Sequence, residues 1–241
     1  MDRQGTFLAF RDRLSDSPFV ERVWRCHSER AGTFLSIAAN HFEMVVTRHQ
    51  GKISLTVRGP ETRATTIDCP AEGEWLGIRF KLGVFMPKLL PSELSDRRDV
   101  TLAGASSSSF WLNGSAWEYP DFENAETFVK WLVKDGVLAR DSIVEAVLGD
   151  ERPALTLRSA QRHFVQATGL TQGKIRQIER ARYAANLLRR GSSILDTVHE
   201  AGYFDHGHLA RSLKHLIGQT PTEIMQGDRQ LSFLYKTEPA H

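Results

Sequence analysis

Residues 160–175 read AQRHFVQATGLTQGKI, and residues 209–224 read LARSLKHLIGQTPTEI. At this offset of 49 positions, five pairs correspond: Arg162 with Arg211, Phe164 with Leu213, Gly169 with Gly218, Thr171 with Thr220, and Ile175 with Ile224. Each copy predicts a short helix with an apolar stripe and an exposed Arg, a Gly suited to a left-handed C-cap, and a Thr that caps the next helix. Duplicated helical units suit a duplicated target, and the commonest is double-stranded DNA, whose major groove returns about every 34 Å on one face.

The composition indicates an ordinary folded chain. With 241 residues, 41% of them hydrophobic and 25% charged, the sequence suits one or two soluble domains and excludes a disordered or collagen-like protein. The first ten residues lack the pattern of a signal peptide, and no stretch approaches the roughly 18 apolar residues that cross a bilayer, so we expect a cytoplasmic protein with no membrane partner. Cys26 and Cys69 form no CxxC pair, which favours buried thiols over a disulfide framework or a zinc site.

Basic charge is concentrated beside the repeat. Residues 151–241 contain 13 Lys and Arg against 8 Asp and Glu, whereas residues 1–150 contain 18 against 21. Six of the nine histidines also lie in the C-terminal segment. This asymmetry is typical of a chain in which one half contacts a polyanion.

Short strands are predicted in the first hundred residues, at 34–37, 42–47, 53–57 and 75–80, with Gly and Pro between them. Ile53, Leu55 and Val57 alternate with Lys52, Ser54 and Thr56, which predicts one buried and one wet face. The pattern favours an antiparallel barrel or sandwich, and its interior is either ligand-sized or filled by side chains. The aromatic cluster of residues 110–122 would cap that core, and the helix expected from residue 124 either joins the two halves or mediates dimerisation.

The C-terminal part has a wholly helical pattern. Asp141 and Thr156 are predicted N-caps, and a long helix at 172–189 would span roughly 27 Å at about 1.5 Å per residue. A second unit follows, with one helix from Ile194, a turn at 202–205 and a helix at 206–217. A helix, a tight turn with Gly and a second helix with a polar outer face predict a helix-turn-helix, here in two copies.

The second unit resembles a known family. Ile194-x3-Val198-x3-Gly202-Tyr-Phe-Asp, followed by Leu209-x-Arg211-x-Leu213-Lys214-x3-Gly218-x-Thr220-Pro221, is similar to the signature of AraC/XylS-type transcriptional regulators, and the resemblance extends from Arg140 to Gln226. It implies a seven-helix DNA-binding domain with two helix-turn-helix units, usually preceded by a cupin-like domain that senses a small molecule or dimerises. The first unit departs from the pattern, because two extra residues and Pro153 lie in its turn, which leaves the angle of its reading helix open.

We therefore expect a two-domain α+β protein, with an N-terminal antiparallel β barrel or cupin-like domain and a C-terminal all-α bipartite helix-turn-helix domain. The expected boundaries are residues 1–122 for the sensor or dimerisation domain, 123–139 for a connecting helix and 140–241 for the DNA-binding domain. The function expected is a sequence-specific transcriptional activator or repressor that reads two adjacent major-groove segments, with modulation by a small molecule at the N-terminal domain. No cofactor is expected, and the further partners considered are RNA polymerase and a second copy of the chain.

The helical period predicts which side chains reach the bases. With Leu157, Ala160 and Phe164 facing inward, the outward residues are Arg158, Ser159, Gln161 and Arg162 in the first unit and His206, Gly207, His208 and Arg211 in the second. These positions also match those at which the resembled family contacts bases. Arg pairs with a guanine edge and Gln with an adenine edge, each for about 1–3 kcal/mol of discrimination, while Gly207 permits only close approach of the backbone.

The helix starts are candidate phosphate sites. Thr171 and Thr220 begin helices whose free N–H groups and positive dipole end suit a DNA phosphate. Lys174, Arg176 and Lys214 either add phosphate contacts or simply face solvent.

Two alternatives remain open in the sequence. His27, His41, Glu43 and His49 lie among strands where cupin-type metalloenzymes place ligands, so the chain could be a metal-dependent enzyme or sensor with an appended helical DNA-binding domain; the set is incomplete, because no second His lies two residues from His41. The other alternative is a helical binding module without sequence specificity, which would show a steep salt dependence and no preference among DNA sequences. There is no Gly-rich phosphate loop and no nucleophile elbow in the sequence, so the regulator is favoured over an enzyme.

Overall fold

A computed structural model describes residues 7–96, 100–148 and 156–227 of the chain. Strands dominate the first half and helices the C-terminal part, as expected for an α+β protein. The strands are β1 (Leu8–Leu14), β2 (Val20–Ser28), β3 (Gly32–Ser36), β4 (Glu43–His49), β5 (Lys52–Arg58), β6 (Thr65–Cys69), β7 (Glu74–Phe80), β8 (Val84–Phe85), β9 (Val100–Thr101), β10 (Ser109–Leu112), β11 (Ser115–Glu118) and β12 (Ala139–Arg140). The helices are α1 (Pro91–Leu94), α2 (Ala125–Lys134), α3 (Ser142–Leu148), α4 (Leu157–Thr168), α5 (Gln172–Arg189), α6 (Ile194–Glu200), α7 (His206–Leu216) and α8 (Pro221–Gln226).

The main sheet is open and antiparallel. Its six strands lie in the order β1-β2-β7-β4-β5-β9, and β3 pairs separately with β6. The barrel expected from the sequence is therefore not closed among the described residues. The β3–β6 pair lies over the sheet without hydrogen-bonding to either of its edge strands, and the edge strand β9 is only two residues long, so the two edges of the main sheet are not joined.

One face of the sheet forms the larger apolar core. Alternate residues of β4, β5 and β7, such as Met44, Leu55 and Ile78, point to this face, where α2 and the β10–β11 hairpin cover them. From α2, Phe128 and Leu132 are buried in the same core. Packing thus places α2 against the N-terminal sheet.

The opposite face of the sheet is covered by the β3–β6 pair, and a cavity lies between them. The wet face predicted at Lys52, Ser54 and Thr56 is wrong for Thr56, which is buried. Its side chain shares a hydrogen bond with Thr101 of β9 (3.1 Å) and lines the cavity. Polar residues at alternate positions of a strand do not distinguish solvent from a polar interior.

The C-terminal helices repeat one structural unit, as the 49-residue offset predicts. Phe164 and Leu213 are buried, and so are Ile175 and Ile224. Gly169 and Gly218 both adopt positive φ (77° and 82°), in the left-handed region that favours glycine. Gly169 ends α4, and Gly218 lies two residues after the end of α7. Thr171 and Thr220 accept hydrogen bonds as the N-caps of α5 and α8. The described residues of this segment form six helices, against the seven that the resemblance implies; residues 149–155 and 228–241 lie outside the described ranges.

The two halves are joined by direct contacts. The backbone N–H of Ala38 donates to the carbonyl of Leu216 (2.8 Å), and that of Ala64 donates to His215 (3.0 Å), so the end of α7 is held by the segments beside β3 and β6. The guanidinium of Arg182 in α5 donates through Nε and Nη2 to the carbonyl of Ala38 (3.2 and 2.9 Å). Ile37 and Ala38 accordingly belong to the apolar core of the helical part.

Candidate functional site

The first helix-turn-helix unit comprises α3 and α4. Asp141 caps α3 by accepting from the N–H of Ile143 (2.8 Å), and Thr156 caps α4 by accepting from Ser159 (3.2 Å), as predicted. Ala160, Phe164 and Ala167 form the buried stripe of α4. The turn between the two helices, with its extra residues and Pro153, lies outside the described residues.

The outer face of α4 carries three of the predicted base-reading side chains. Arg158, Gln161 and Arg162 are exposed and lie at i, i+3 and i+4, on one side of the helix. Ser159 differs, because it is half-buried and its Oγ accepts from Thr156 Oγ1 (3.0 Å). Ser159 therefore belongs to the helix cap in this conformation rather than to the open outer face of α4.

The second unit comprises α6 and α7, and both helices begin with a side-chain N-cap, as α3 and α4 do. Ser193 accepts from the N–H of Asp196 (3.1 Å), and Asp205 accepts from the N–H of His208 (2.6 Å). Tyr203 in the turn is buried, and its hydroxyl shares a hydrogen bond with Ser212 of α7 (3.0 Å). This bond ties the turn to α7.

The outer face of α7 is less uniform than that of α4. His206 and Arg211 are exposed, whereas His208 is half-buried and packs edge-on against Tyr203 (ring centroids 5.1 Å apart). A Cβ at Gly207 would lie 3.2 Å from Nη1 of Arg211, so the guanidinium of Arg211 lies over the place that a side chain would occupy. In this conformation, the absence of a side chain at Gly207 leaves space that the guanidinium of Arg211 occupies.

The two helix starts proposed as phosphate sites differ. At α5, Thr171 is exposed and accepts from the N–H of Lys174 (3.2 Å). At α8, Glu223 completes a capping box by accepting from the N–H of Thr220 (2.7 Å), and it also accepts from Lys214 Nζ (3.2 Å). These contacts, the backbone one first, lower the pKa of Glu223. A carboxylate therefore sits at the start of α8, while the start of α5 carries Lys174. Arg176, two residues further along, is exposed.

A cavity of about 200 Å³ lies between the main sheet and the β3–β6 pair. Aromatic rings form much of its wall, and Glu43, Arg58 and Asp68 supply its charged groups. Its aromatic lining residues are Phe10, Trp24, Phe34 and Trp75. Both cysteines line it too; they are buried free thiols, as expected, and burial raises the pKa of Cys26 to about 12, with a further contribution from Cys69.

Four charged residues form a row across one end of the sheet. Arg22 of β2 lies opposite Arg79 of β7, Arg79 opposite Glu43 of β4, and Glu43 opposite Arg58 of β5. Arg79 is 4% exposed, and burial lowers its pKa, against the opposing effects of Glu21 and Glu43. Trp24 Nε1 donates to Glu43 Oε2 (3.2 Å), which links the row to the aromatic wall.

The metal-site alternative finds no assembled ligand set in the described residues. His41 and Glu43 are both buried, with Nε2 and Oε2 3.8 Å apart, but no group of three or more His, Cys, Asp or Glu that could hold an ion occurs there. His27 is exposed on β2, and His49 lies at the far end of β4 from Glu43. Burial lowers the pKa of His41 well below its usual value, and the nearby Arg79, Arg182 and Arg58 lower it further.

Sequence reasoning missed the arginine row and the Arg182 contact. One signal was present: in residues 75–80, Arg79 falls on the same strand face as Trp75, where an apolar or small residue is the ordinary choice. A charged residue at an inward-facing strand position points to a buried polar site. Nothing comparable marks Arg182, because an arginine on a long helix is usually at the surface.

Residues 151–227, about a third of the chain, match the family model of a helix-turn-helix domain. No curated protein and no solved structure matched the chain. Within the described residues, no helix is both long and apolar enough to cross a bilayer.

Proposed function

From an AraC-type helix-turn-helix DNA-binding domain at residues 151–227, we propose that the chain is a transcriptional regulator that reads two adjacent major-groove segments of double-stranded DNA, one with α4 and one with α7. The main support is the repeat: both helices have capped starts, buried apolar stripes at matching positions and an exposed arginine at the same place, Arg162 and Arg211. Sequence-specific binding to two groove segments needs two such helix faces. Nonspecific binding through basic charge needs neither helix caps nor matching arginines.

The roles of the side chains follow from their chemistry. Arg158, Arg162 and Arg211 would bond guanine edges, and Gln161 an adenine edge. His206 would contact a base near the start of α7. Ser159, Gly207 and His208 would also lie at base edges, although Ser159 is bonded to Thr156, Gly207 has no side chain and His208 packs on Tyr203. Thr171, Lys174 and Arg176 are the stronger phosphate candidates, since Thr220 and Lys214 are already engaged with Glu223.

The N-terminal part is proposed as a cupin-like sensor of a small molecule. The sheet and the β3–β6 pair enclose a cavity, and the segments that follow β3 and precede β6 contact α5 and α7 directly. A ligand that shifts the β3–β6 pair would therefore act on the helices that carry the reading face. A second copy of the chain and RNA polymerase are the further partners in this proposal.

The proposal is tested by selecting bound fragments from random double-stranded DNA with the full-length chain. We expect enrichment of a motif with two conserved blocks about one helical turn apart, roughly 10 base pairs. The matched control is the double variant Arg162→Ala, Arg211→Ala, which keeps both helix cores and should enrich no such motif. Binding that falls steeply with salt but shows no sequence preference would refute specific reading and favour a nonspecific module.

A further inference from the structure

The N-terminal half holds the C-terminal end of α4. The carbonyl groups at the end of a helix have no N–H partner within it, so they bond to water or to a donor elsewhere. Here the hydroxyl of Ser95, just after α1, donates to the carbonyl of Gly169 (2.8 Å). Among the described residues, α4 packs mainly against α3, α1 and β8, and α5 is not one of its main neighbours. The position of α4 therefore depends on two elements of the N-terminal half.

The N-terminal half also holds the C-terminal end of α7. The N–H of Ala64 donates to the carbonyl of His215 (3.0 Å), and the N–H of Ala38 donates to that of Leu216 (2.8 Å), the last residue of the helix. Within the helical part, α7 packs against α5, α6 and α8. The two helices thus differ in what surrounds them, but both are bonded at the same end to the N-terminal half.

These contacts lie away from the candidate base-reading residues. Arg162 is the sixth of the 12 residues of α4, and Arg211 is the sixth of the 11 residues of α7. The other candidates come before these two positions, toward the start of each helix. Because the N-terminal half contacts the opposite ends, it positions the two helices without covering the side chains that would enter the groove.

The residues that make these contacts are linked to each other. Asp96 directly follows Ser95, and Thr62 lies two residues before Ala64. The carboxylate of Asp96 accepts from the N–H and from the hydroxyl of Thr62, both at 2.7 Å. The N–H of Asp96 donates to the carbonyl of Pro60 (3.1 Å). A chain of bonds therefore connects the end of α4 with the end of α7.

Close packing reinforces this link. A Cβ at Gly59 would lie 2.5 Å from the Cβ of Leu94 and 2.8 Å from its carbonyl oxygen, so a glycine is required there. Leu94 is 2% exposed and belongs to the larger apolar core. Residues 59–62 and 94–96, hereafter the brace, accordingly form one packed unit that is anchored in the N-terminal half.

We propose that the brace fixes the distance and angle between α4 and α7, and thereby determines which separation of two base blocks the chain accepts. Adding one base pair between the blocks moves one of them by roughly 3.4 Å along the duplex and turns it by about a tenth of a revolution. Two braced helices cannot follow that change together, whereas two units joined only through α5 can adapt to it. The brace is a property of the free protein, and only its effect on DNA rests on the proposed function.

The brace is tested first without DNA, by measuring the distance between spin labels on α4 and α7 with double electron–electron resonance. The labels are attached to the full-length chain through Gln166→Cys and His215→Cys, at exposed positions that correspond at the 49-residue offset. Both native cysteines are buried, which favours labelling of the introduced ones. We expect one narrow distance distribution.

Two variants act on the brace, and a third is their control. Asp96→Gly removes the carboxylate at a residue of positive φ (56°), where glycine is not strained, and should broaden the distance distribution. Gly59→Ala places a methyl group against Leu94 and should shift the mean distance. Asp96→Asn keeps an acceptor oxygen and tolerates positive φ, so it should leave the distribution narrow.

The consequence for DNA is measured on the selected site and on the same site with one base pair inserted between its two blocks. The unchanged chain should bind the longer site about 5- to 150-fold more weakly, as for the loss of one good base contact. Asp96→Gly should reduce this penalty to a few-fold, because its two reading helices can adjust to the longer site. Asp96→Asn should keep the full penalty.

The proposal is overturned if Asp96→Gly and Gly59→Ala both leave the label distribution unchanged, which would mean that α5 alone fixes the two units. It is also overturned if Asp96→Gly binds the two sites with the same ratio of affinities as the unchanged chain, because a merely structural role would change the affinity but not that ratio. If the random-sequence selection enriches no two-block motif, the proposed function fails instead, and the label distances still decide whether the brace exists.

Discussion

The first and second helix-turn-helix units have corresponding buried residues but different residues at their exposed positions. At the 49-residue offset, buried Phe164 and Leu213 and the positive-φ glycines correspond. On the outer faces, Arg158 corresponds to Gly207, and at the following helix starts Lys174 corresponds to Glu223. The two units thus share their packing and helix ends, whereas the charged residues on their exposed surfaces differ.

The largest expected effect comes from the two glycines that end the repeated helices. An alanine at either position takes a left-handed conformation, at about 1–2 kcal/mol, and also meets the N-terminal half. At Gly169 the new Cβ would lie 2.7 Å from the Pro91 carbonyl oxygen, while at Gly218 it would lie 2.6 Å from a terminal carbon of Leu35. Backbone yields less than a side-chain end, so we expect Gly169→Ala to lower the free energy of unfolding by about 3 kcal/mol and Gly218→Ala by about 2 kcal/mol.

Urea unfolding measures both losses, and Gly202→Ala is the matched control. Gly202 also has positive φ (67°), but nothing lies within 4 Å of a Cβ built there, so only the conformational cost remains. If Gly169→Ala were no more destabilising than Gly202→Ala, the close contact of α4 with the N-terminal half would be absent in solution.

The next effect concerns the corresponding arginines. Arg211→Ala and Arg162→Ala should each weaken binding to the best selected DNA site by about 1–3 kcal/mol, roughly 5- to 150-fold, while leaving urea unfolding unchanged. Both side chains are exposed and their removal exposes no core. Binding is measured at matched salt, and each variant should relax the base preference in a different block of the site. Equal preference in both blocks for both variants would contradict one reading helix per block.

A smaller effect is expected at the caps of the reading helices, where the two units again differ. Asp205→Ala removes a 2.6 Å bond to the N–H of His208, and Thr156→Ala removes a 3.2 Å bond to Ser159. Each should cost about 1 kcal/mol of unfolding free energy, with the charged cap the more costly. Asp205→Asn keeps an acceptor and should retain most of the stability. Should Asp205→Asn and Asp205→Ala unfold alike, the cap would not be formed in solution.

The sequence predicted the parts of the fold that depend on local periodicity and capping. The bounds of α5 agree at both ends with prediction, and the caps at Asp141, Thr156, Thr171 and Thr220 are confirmed, because each rests on neighbours within four residues. The sequence does not predict strands β1, β2 and β6, since they are stabilised by partners that are distant in the chain. No closed barrel forms among the described residues, and the sequence marks only Arg79 of the arginine row, because strand order and register decide both features.

The candidate base-reading residues were predicted from period alone, but their local surroundings were not. The packing of His208 on Tyr203 and of Arg211 over Gly207 depends on how side chains settle across a turn. Contacts between the two halves of the chain, such as that of Ala38 with Leu216, cannot be predicted from a local pattern, because they join residues far apart in the chain. The sequence thus indicates which side chains face outward, and the structure distinguishes free ones from those already engaged.

The smallest expected effect separates the two helix starts as phosphate sites. A phosphate is favoured by free N–H groups and positive charge. At α5, Thr171 holds the N–H of Lys174, the preceding N–H groups of the first turn have no partner within the helix, and the Lys174 side chain adds positive charge. At α8 the Glu223 carboxylate holds the N–H of Thr220 and pairs with Lys214, so an incoming phosphate meets negative charge.

We therefore expect Lys174→Ala to weaken DNA binding a few-fold and to reduce the slope of log K against log salt by about 1, as for the loss of one phosphate contact. Lys214→Ala should change the slope less, and Lys88→Ala, an exposed lysine in the N-terminal half, should not change it. A larger slope change for Lys214→Ala than for Lys174→Ala would mean that DNA displaces Glu223 from Lys214. The two helix starts would then differ only in the protein without DNA.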